Sequence, residues 1–319
     1  MEHLRSGMEN LGNTCFVSAV MQAIFNVLEA IPSLPRSEAI TSLWSVLSNP
    51  LANREEFLFA ASEFYRKVVA PMVDDDGNPL FPLGKQQDGE EFLNAFIESM
   101  LNQVFPHIVT QLEVRTRNTT SCLNCKHTGE HMDSSNTQFV YLTKEGVPTP
   151  PQTTSRRRGK EPALPRPEVQ DLQQLLNLLT EQKEEIEIVC SACLHNTSSK
   201  SVSIETGAVL IVVIKRFQID DTTMETSKNN SLVHVPLELV MNKEQYSLLC
   251  LVDHLGATRG NGHYVSHVRD MKTGRFHTYD DREVTQSKAG ILQSESAYIL
   301  IYCRQSILMV PPLAALMYS

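Results

Sequence analysis

The chain is predicted to be an α+β protein, with helices in its first third and strands in most of the rest. Two observations predict it. Apolar residues recur at helical spacing up to about residue 105, and alternation of period two takes over beyond about residue 109. With 319 residues and 41% hydrophobic content, the chain has material for one large domain or two smaller ones.

Taken in order, Phe16, Val17, Val20, Met21, Ile24 and Leu28 repeat at helical spacing, with Asn13 or Thr14 as the expected N-cap and Cys15 in the first turn. Helical patterns follow at 39–47 and 54–69, then a turn at Asp74-Asp-Asp-Gly-Asn-Pro79. A further helix starts near Asp88, its apolar face formed by Phe92, Leu93, Phe96, Ile97, Met100, Leu101 and Val104. Residues 109–117 and 137–142 alternate like strands. Residues 145–168 are rich in proline and arginine, include Arg156-Arg-Arg158, and read as a loop or disordered insertion. Leu172, Leu175, Leu176 and Leu179 mark another helix. Strands are expected at 208–217, 246–255, 263–269, 275–279 and 297–303, and residues 305–319 form an apolar tail.

Lys and Arg number 28 against 37 Asp and Glu, a net charge of -9, which argues against nucleic acid as the main partner and fits a basic partner surface. The polar start gives no sign of a signal peptide, and no stretch reaches the roughly 18 apolar residues that span a bilayer. Seven cysteines, four of them in Cys-x-x-Cys pairs, suit a reducing compartment, so a cytoplasmic or nuclear location is expected.

The first pair is Cys122 and Cys125, the second Cys190 and Cys193. Together they offer four thiolates for a closed, tetrahedral, structural Zn²⁺ site with no coordination position left for a catalytic water. Two unrelated pairs or one redox dithiol are the competing reading.

A thiol at a helix start has the helix dipole and free N–H groups beside it, so the Cys15 pKa is expected to be lowered toward the reactive thiolate. The plain alternative is a small buried cysteine. His263 stands where a glycine-rich loop enters a strand, and Asp280 and Asp281 close the next strand, where a carboxylate could hold an imidazole. Taken singly, the histidine and aspartates could be ordinary turn residues.

Several motifs in order resemble the ubiquitin-specific protease family of papain-like deubiquitinases, over residues 7–304. Met8-Glu-Asn-Leu-Gly-Asn-Thr-Cys-Phe16 is similar to its cysteine box and Gln86-Gln-Asp-Gly-Glu-Glu-Phe92 to its glutamine-aspartate box. Val213-Ile-Lys-Arg-Phe217 resembles the strand before its histidine box. Gly262-His-Tyr264, Tyr279-Asp-Asp281 and Ala297-Tyr-Ile-Leu-Ile-Tyr302 resemble the histidine box and closing strand. The family usually carries tyrosine where Phe16 stands.

The resemblance implies a right-hand, papain-like fold in one catalytic domain. Its helical thumb would span about 7–108, zinc-ribbon fingers about 109–205 and a β palm about 206–304. It implies Cys15 as nucleophile, His263 as general base, Asp280 as its orienter with Asp281 in support, and Asn10 as an oxyanion donor. Asp88 and Glu91 would hold the arginines of ubiquitin's C-terminal tail, with Gln87, Gly262 and Tyr264 lining its path. Asp88 and Glu91 also fit a helix-capping arrangement. The implied reaction is thiol-dependent cleavage after ubiquitin's last glycine, with ubiquitin and ubiquitinated proteins as partners. A protease for a ubiquitin-like modifier and a catalytically idle ubiquitin-binding module are the alternatives.

Overall fold

The computed structural model describes residues 4–31, 37–104, 109–142, 169–181, 184–219, 226–258, 260–288 and 290–308. The insertion at 145–168 with Arg156 to Arg158, and the tail beyond residue 308, lie outside the described residues, as do the side chains of Met100, Leu101 and Val104.

Four helices come first: α1 (Cys15–Ala30), α2 (Glu38–Leu47), α3 (Arg54–Phe64) and α4 (Gly89–Val104). α3 runs on into a π-helical turn, Tyr65–Val69. Asn53 caps α3 by accepting from the Glu55 and Glu56 N–H groups while Glu56 accepts from the Asn53 N–H, two free donors satisfied reciprocally. Every residue of α1 except Glu29 is buried, so its polar positions need partners inside. Asn26 Nδ2 donates to the Leu249 carbonyl at 2.8 Å and Gln22 Nε2 to the Ser6 carbonyl at 3.0 Å.

The main sheet is antiparallel at its centre. Its order is Glu283–Gln286, Phe276–Asp280, Asn261–Arg269, Glu244–Thr258, Ala297–Arg304, Val209–Lys215 and Gln138–Tyr141, with Glu238–Met241 also paired to Glu244–Thr258. Val209 to Ile214 are all buried, which is why that strand reads as an unbroken apolar run rather than an alternation. One face carries α1, packed on Asn261–Arg269 and Glu244–Thr258, with the aromatic cluster Phe16, Phe64, Phe81, Phe92 and Phe96 tying α1 to α3 and α4. The other face is covered by the helix Leu172–Glu181, through Leu172, Leu175 and Leu176.

A separate four-stranded antiparallel sheet, ordered Thr128–Ser135, Val114–Cys122, Ser198–Thr206 and Glu184–Ile186, carries the cysteine pairs at its tip. Two local expectations change. Residues 109–117 are not one strand: Val109–Leu112 is a helical turn and the strand begins at Val114. Gln138–Tyr141, placed by sequence among the fingers, joins the main sheet in parallel with Val209–Lys215.

Candidate active site and cysteine cluster

The turn before Cys15 is built by Asn10. Its Oδ1 accepts from the Gly12 N–H at 2.9 Å, the Thr14 N–H at 3.1 Å and the Thr14 hydroxyl at 3.3 Å. That tight turn takes Gly12 to φ 104° and Asn13 to φ 55°, conformations that glycine and asparagine adopt most readily. Thr14 stands at the N-cap position, yet its hydroxyl accepts from Leu11 instead of capping the helix. Cys15 is the first residue of α1. Phe16 behind it locks edge-on against Phe92, with centroids 5.6 Å apart, and such pairs contribute about 0.5–1.5 kcal/mol beyond area burial.

His263 and Asp280 meet as expected, the imidazole Nε2 lying 2.6 Å from the Asp280 carboxylate. Asp281 has left-handed φ 48° and its side chain faces the nucleophile segment, accepting from Asn10 Nδ2 at 2.8 Å. The Met8 N–H donates to the Asp281 carbonyl at 3.0 Å. A methyl on Gly7 would lie 2.3 Å from that same carbonyl oxygen, so only glycine lets the two backbones approach. The segment carrying the thiol is thus stitched to the turn carrying the aspartates.

The thiol itself faces Gln86, whose side-chain amide lies 3.5–3.6 Å from Cys15 Sγ through Nε2 and Oε1. Among the described residues His263 makes no hydrogen bond to Cys15, which leaves its Nδ1 unengaged. The Cys15 pKa also departs from expectation, lying above the ordinary 9.0 and not below it. Burial of the thiol is the largest cause and the Asp281 carboxylate adds to it. The Tyr264 backbone N–H, Gln86 and the Phe16 N–H pull the other way without winning.

Two residues expected along the tail's path keep their side chains inside the fold. Asp88 is 3% exposed; its Oδ1 accepts from the Glu90 N–H at 2.7 Å, and both carboxylate oxygens accept from the Tyr298 hydroxyl at 3.0 and 2.9 Å. Its carboxylate caps α4 and is sealed under Tyr298. The Tyr264 ring is fully buried, its hydroxyl accepting from the Gly89 N–H at 3.1 Å and its face against His254. Only its backbone reaches Cys15.

Glu91 is exposed on the first turn of α4, and Gln87 and Gly262 are half-buried. A methyl on Gly262 would lie 2.5 Å from His254 Nε2 and 2.7 Å from the Leu255 carbonyl oxygen, so this glycine serves a close crossing inside the fold.

The sequence reading gave no roles to Gln86, Arg216 or His254. Gln86 stood in a recognised motif, but nothing in its spacing says that it turns toward a thiol. Arg216 is fully buried and donates to four backbone carbonyls, those of Ala297, Asn229, Ser231 and Ser294, at 2.6–3.1 Å.

The four paired cysteines converge. Cys122 and Cys193 sulfurs are 3.6 Å apart, as are those of Cys125 and Cys190, and all four lie within 4.8 Å of one another with no disulfide. Each pair ends a matching loop. Lys126 and Leu194 have left-handed φ of 60° and 58°, and Cys122 and Cys190 N–H groups donate to the His127 and His195 carbonyls. Backbone N–H groups of Ala192 and His195 draw the Cys190 and Cys193 thiols below the ordinary value, while the neighbouring thiols push Cys125 up to about 12, so the cluster shares its protons as one set. The arrangement is compatible with a metal site.

The family profile described as ubiquitin carboxyl-terminal hydrolase matches residues 6–302. Ubiquitin carboxyl-terminal hydrolase 17-like proteins 15 and 6 of Homo sapiens are each 26% identical over 326 residues, covering 94% of this chain. The match takes in 54% of the first and 75% of the second, so the chain spans about half the length of the first relative. A chain from the SAGA DUB module Ubp8/Sgf11/Sus1/Sgf73 bound to monoubiquitin superposes with a TM-score of 0.68 at 18% identity, over 94% of this chain and 69% of that one. The same module bound to ubiquitin aldehyde gives a TM-score of 0.66 at 18% identity, with the same coverage. At such identity the likeness establishes the fold.

Proposed function

This chain belongs to the ubiquitin carboxyl-terminal hydrolase family, and on that footing we propose that it is a thiol deubiquitinase cleaving the bond after ubiquitin's C-terminal glycine. The observation that carries the reading is the joining of three distant segments: Cys15 at the start of α1, the His263–Asp280 pair at 2.6 Å, and Asn10 bridging to Asp281 at 2.8 Å.

Asp280 fixes the imidazole through Nε2, which leaves Nδ1 to take the proton of Cys15. The sulfur then attacks the glycine carbonyl carbon, and the developing oxyanion accepts from the second N–H of Asn10 and from backbone N–H groups around Cys15. His263 returns the proton to the departing lysine amine as the C–N bond breaks. Water, giving its proton to His263, then hydrolyses the thioester and frees the Cys15 thiol. The raised thiol and its contact with Gln86 describe a resting enzyme, and catalytic hydrogen bonds commonly tighten only when substrate binds.

Glu91, exposed beside the site, is the carboxylate we assign to the basic tail of ubiquitin, with Gln87 and the Gly262 backbone along its path. Zn²⁺ is the metal we assign to Cys122, Cys125, Cys190 and Cys193. Zn–S bonds of about 2.3 Å in a tetrahedron place sulfurs about 3.8 Å apart, close to the observed 3.6 Å. Bound there, zinc supplies fold stability to the small sheet. None of the seven cysteines is in a disulfide, which supports a reducing, cytoplasmic or nuclear setting.

Turnover of a ubiquitin C-terminal amide reporter tests the reading. Wild type should cleave it, Cys15→Ala and His263→Ala should not, and Asn10→Ala should lose about 10²–10³ in kcat. Binding of ubiquitin by a folded wild type that never cleaves the reporter would refute the assignment in favour of an idle binding module.

A further inference from the structure

The hairpin that delivers His263 is paired irregularly near its tip. Leu255 pairs with His263 across the two strands, the ladder then breaks, and pairing resumes only at Thr258 with Asn261. Gly256 has φ 151°, and a methyl there would lie 2.6 Å from the Asn261 carbonyl oxygen, so the backbone crosses itself at the foot of the loop. With glycines at 256, 260 and 262, the loop has little side-chain packing of its own to hold it.

The carbonyls on either side of Leu255, those of His254 and Gly256, both point at one cation. Lys228 Nζ donates to the His254 carbonyl and, at 3.1 Å, to that of Gly256. Lys228 comes from outside this strand pair, on a hairpin between Phe217–Ile219 and Thr226–Lys228, directly opposite Phe217. That hairpin is itself fixed. Arg216, next to Phe217, ties it to four backbone carbonyls, and the Phe217 ring packs edge-on against His254 at 5.2 Å and Tyr298 at 5.8 Å. His254, fully buried, in turn forms the floor beneath Gly262.

We propose that Lys228 is a positioning residue for His263: its ammonium clamps the two carbonyls flanking Leu255, and so sets where the imidazole and the Tyr264 N–H stand relative to Cys15. A neutral side chain cannot do this as well, because a charged donor bridging two carbonyls makes hydrogen bonds roughly twice as strong as neutral ones. Lys228 touches no reacting group. It acts through the foot of the loop alone, and the inference rests on the thiol-hydrolase reading above.

The test compares wild type, Lys228→Met and Lys228→Arg in two measurements, reporter turnover and amide hydrogen exchange. Lys228→Met should lower kcat about 10- to 100-fold, the scale of an ångström-size misplacement of a catalytic group, with KM within about threefold. Lys228→Arg, which keeps the charge, should recover most of that loss. Exchange in Lys228→Met should quicken at residues 256–264 while the amides of α1 keep wild-type protection. Unchanged kcat, no recovery with arginine, or faster exchange across the whole chain would each overturn the proposal. Should Lys228→Met fail to fold, Lys228→Gln, which keeps a neutral donor, carries the same comparison. A wild type without turnover refutes the hydrolase reading, and the exchange pattern then decides the clamp by itself.

Discussion

Replacing Gly262 by alanine puts a methyl 2.5 Å from His254 Nε2, 2.7 Å from His254 Cε1 and 2.7 Å from the Leu255 carbonyl oxygen. None of these neighbours can yield. Leu255 is backbone, and the His254 ring is held between Phe217, Tyr264 and Tyr298 with centroids 4.8–6.5 Å away. The backbone at 262 must move instead, and His263 is the next residue. Overpacking of this kind costs about 1–3 kcal/mol, a fall in melting temperature of a few degrees for a domain of this size. The larger effect should be on chemistry, because a displacement of about 1 Å at a catalytic base can cost on the order of 10²-fold in rate. Reporter kcat and a thermal melt of Gly262→Ala measure both. Gly260→Ala is the internal control: a methyl there meets nothing within 4 Å, so stability should stay within about 0.5 kcal/mol. Wild-type turnover and melting in Gly262→Ala would refute the reasoning.

Purified protein should carry about one Zn²⁺ per chain, and Cys193→Ser should lose it together with several degrees of melting temperature; metal analysis finding none in active protein contradicts this. The Cys15 pKa is raised by burial, so folding favours the protonated thiol; that stabilisation is present below the ordinary 9.0 and fades as pH rises through the folded value. Iodoacetamide alkylation of Cys15 in the free protein should therefore be slow at neutral pH and still climbing past pH 9.0, whereas a plateau reached below pH 7 would show a preformed thiolate. Glu91→Lys should weaken ubiquitin binding at least tenfold in calorimetry, since it replaces an attractive carboxylate with a repelling cation, and should leave the melt within a degree or two. Unchanged affinity in the folded variant would return Glu91 to a helix-end role.

Much of the frame was legible because it follows from local periodicity. The apolar spacing in α1, the leucines of Leu172–Glu181 and the unbroken run Val209–Lys215 each report a burial pattern written along the chain. The cysteine pairs were legible for a chemical reason, since two Cys-x-x-Cys units leave few other readings. Thr128–Ser135 was not: it is exposed along its whole length, so no alternation marks it, and it is a strand only because it pairs with Val114–Cys122. Nor could the sequence say that residues 109–112 coil before the strand begins, because the alternation that marks Val114–Cys122 runs back into that turn.

At the site, motif order placed Cys15, His263 and Asp280, but side-chain direction depended on tertiary contacts. Asp88 turned inward because Tyr298 offered a hydroxyl to its carboxylate, and Tyr264 because Gly89 left room for its ring. The thiol rose where a helix start alone would lower it, because desolvation outweighed the few N–H groups that reach the sulfur. Helix position was visible in the sequence, whereas burial of this thiol was one of two open readings.

The central claim is that Cys15 is the nucleophile that takes ubiquitin's C-terminal glycine. Incubating the full chain with a ubiquitin derivative bearing a C-terminal electrophile, then mapping the adduct by mass spectrometry, measures this directly. The account predicts a single adduct on Cys15 in wild type and none in folded Cys15→Ala, with Cys250 and Cys303 silent because both are fully buried and burial holds their thiols protonated. An adduct that persists in Cys15→Ala, or a wild-type chain that stays unlabelled while binding ubiquitin, would contradict it.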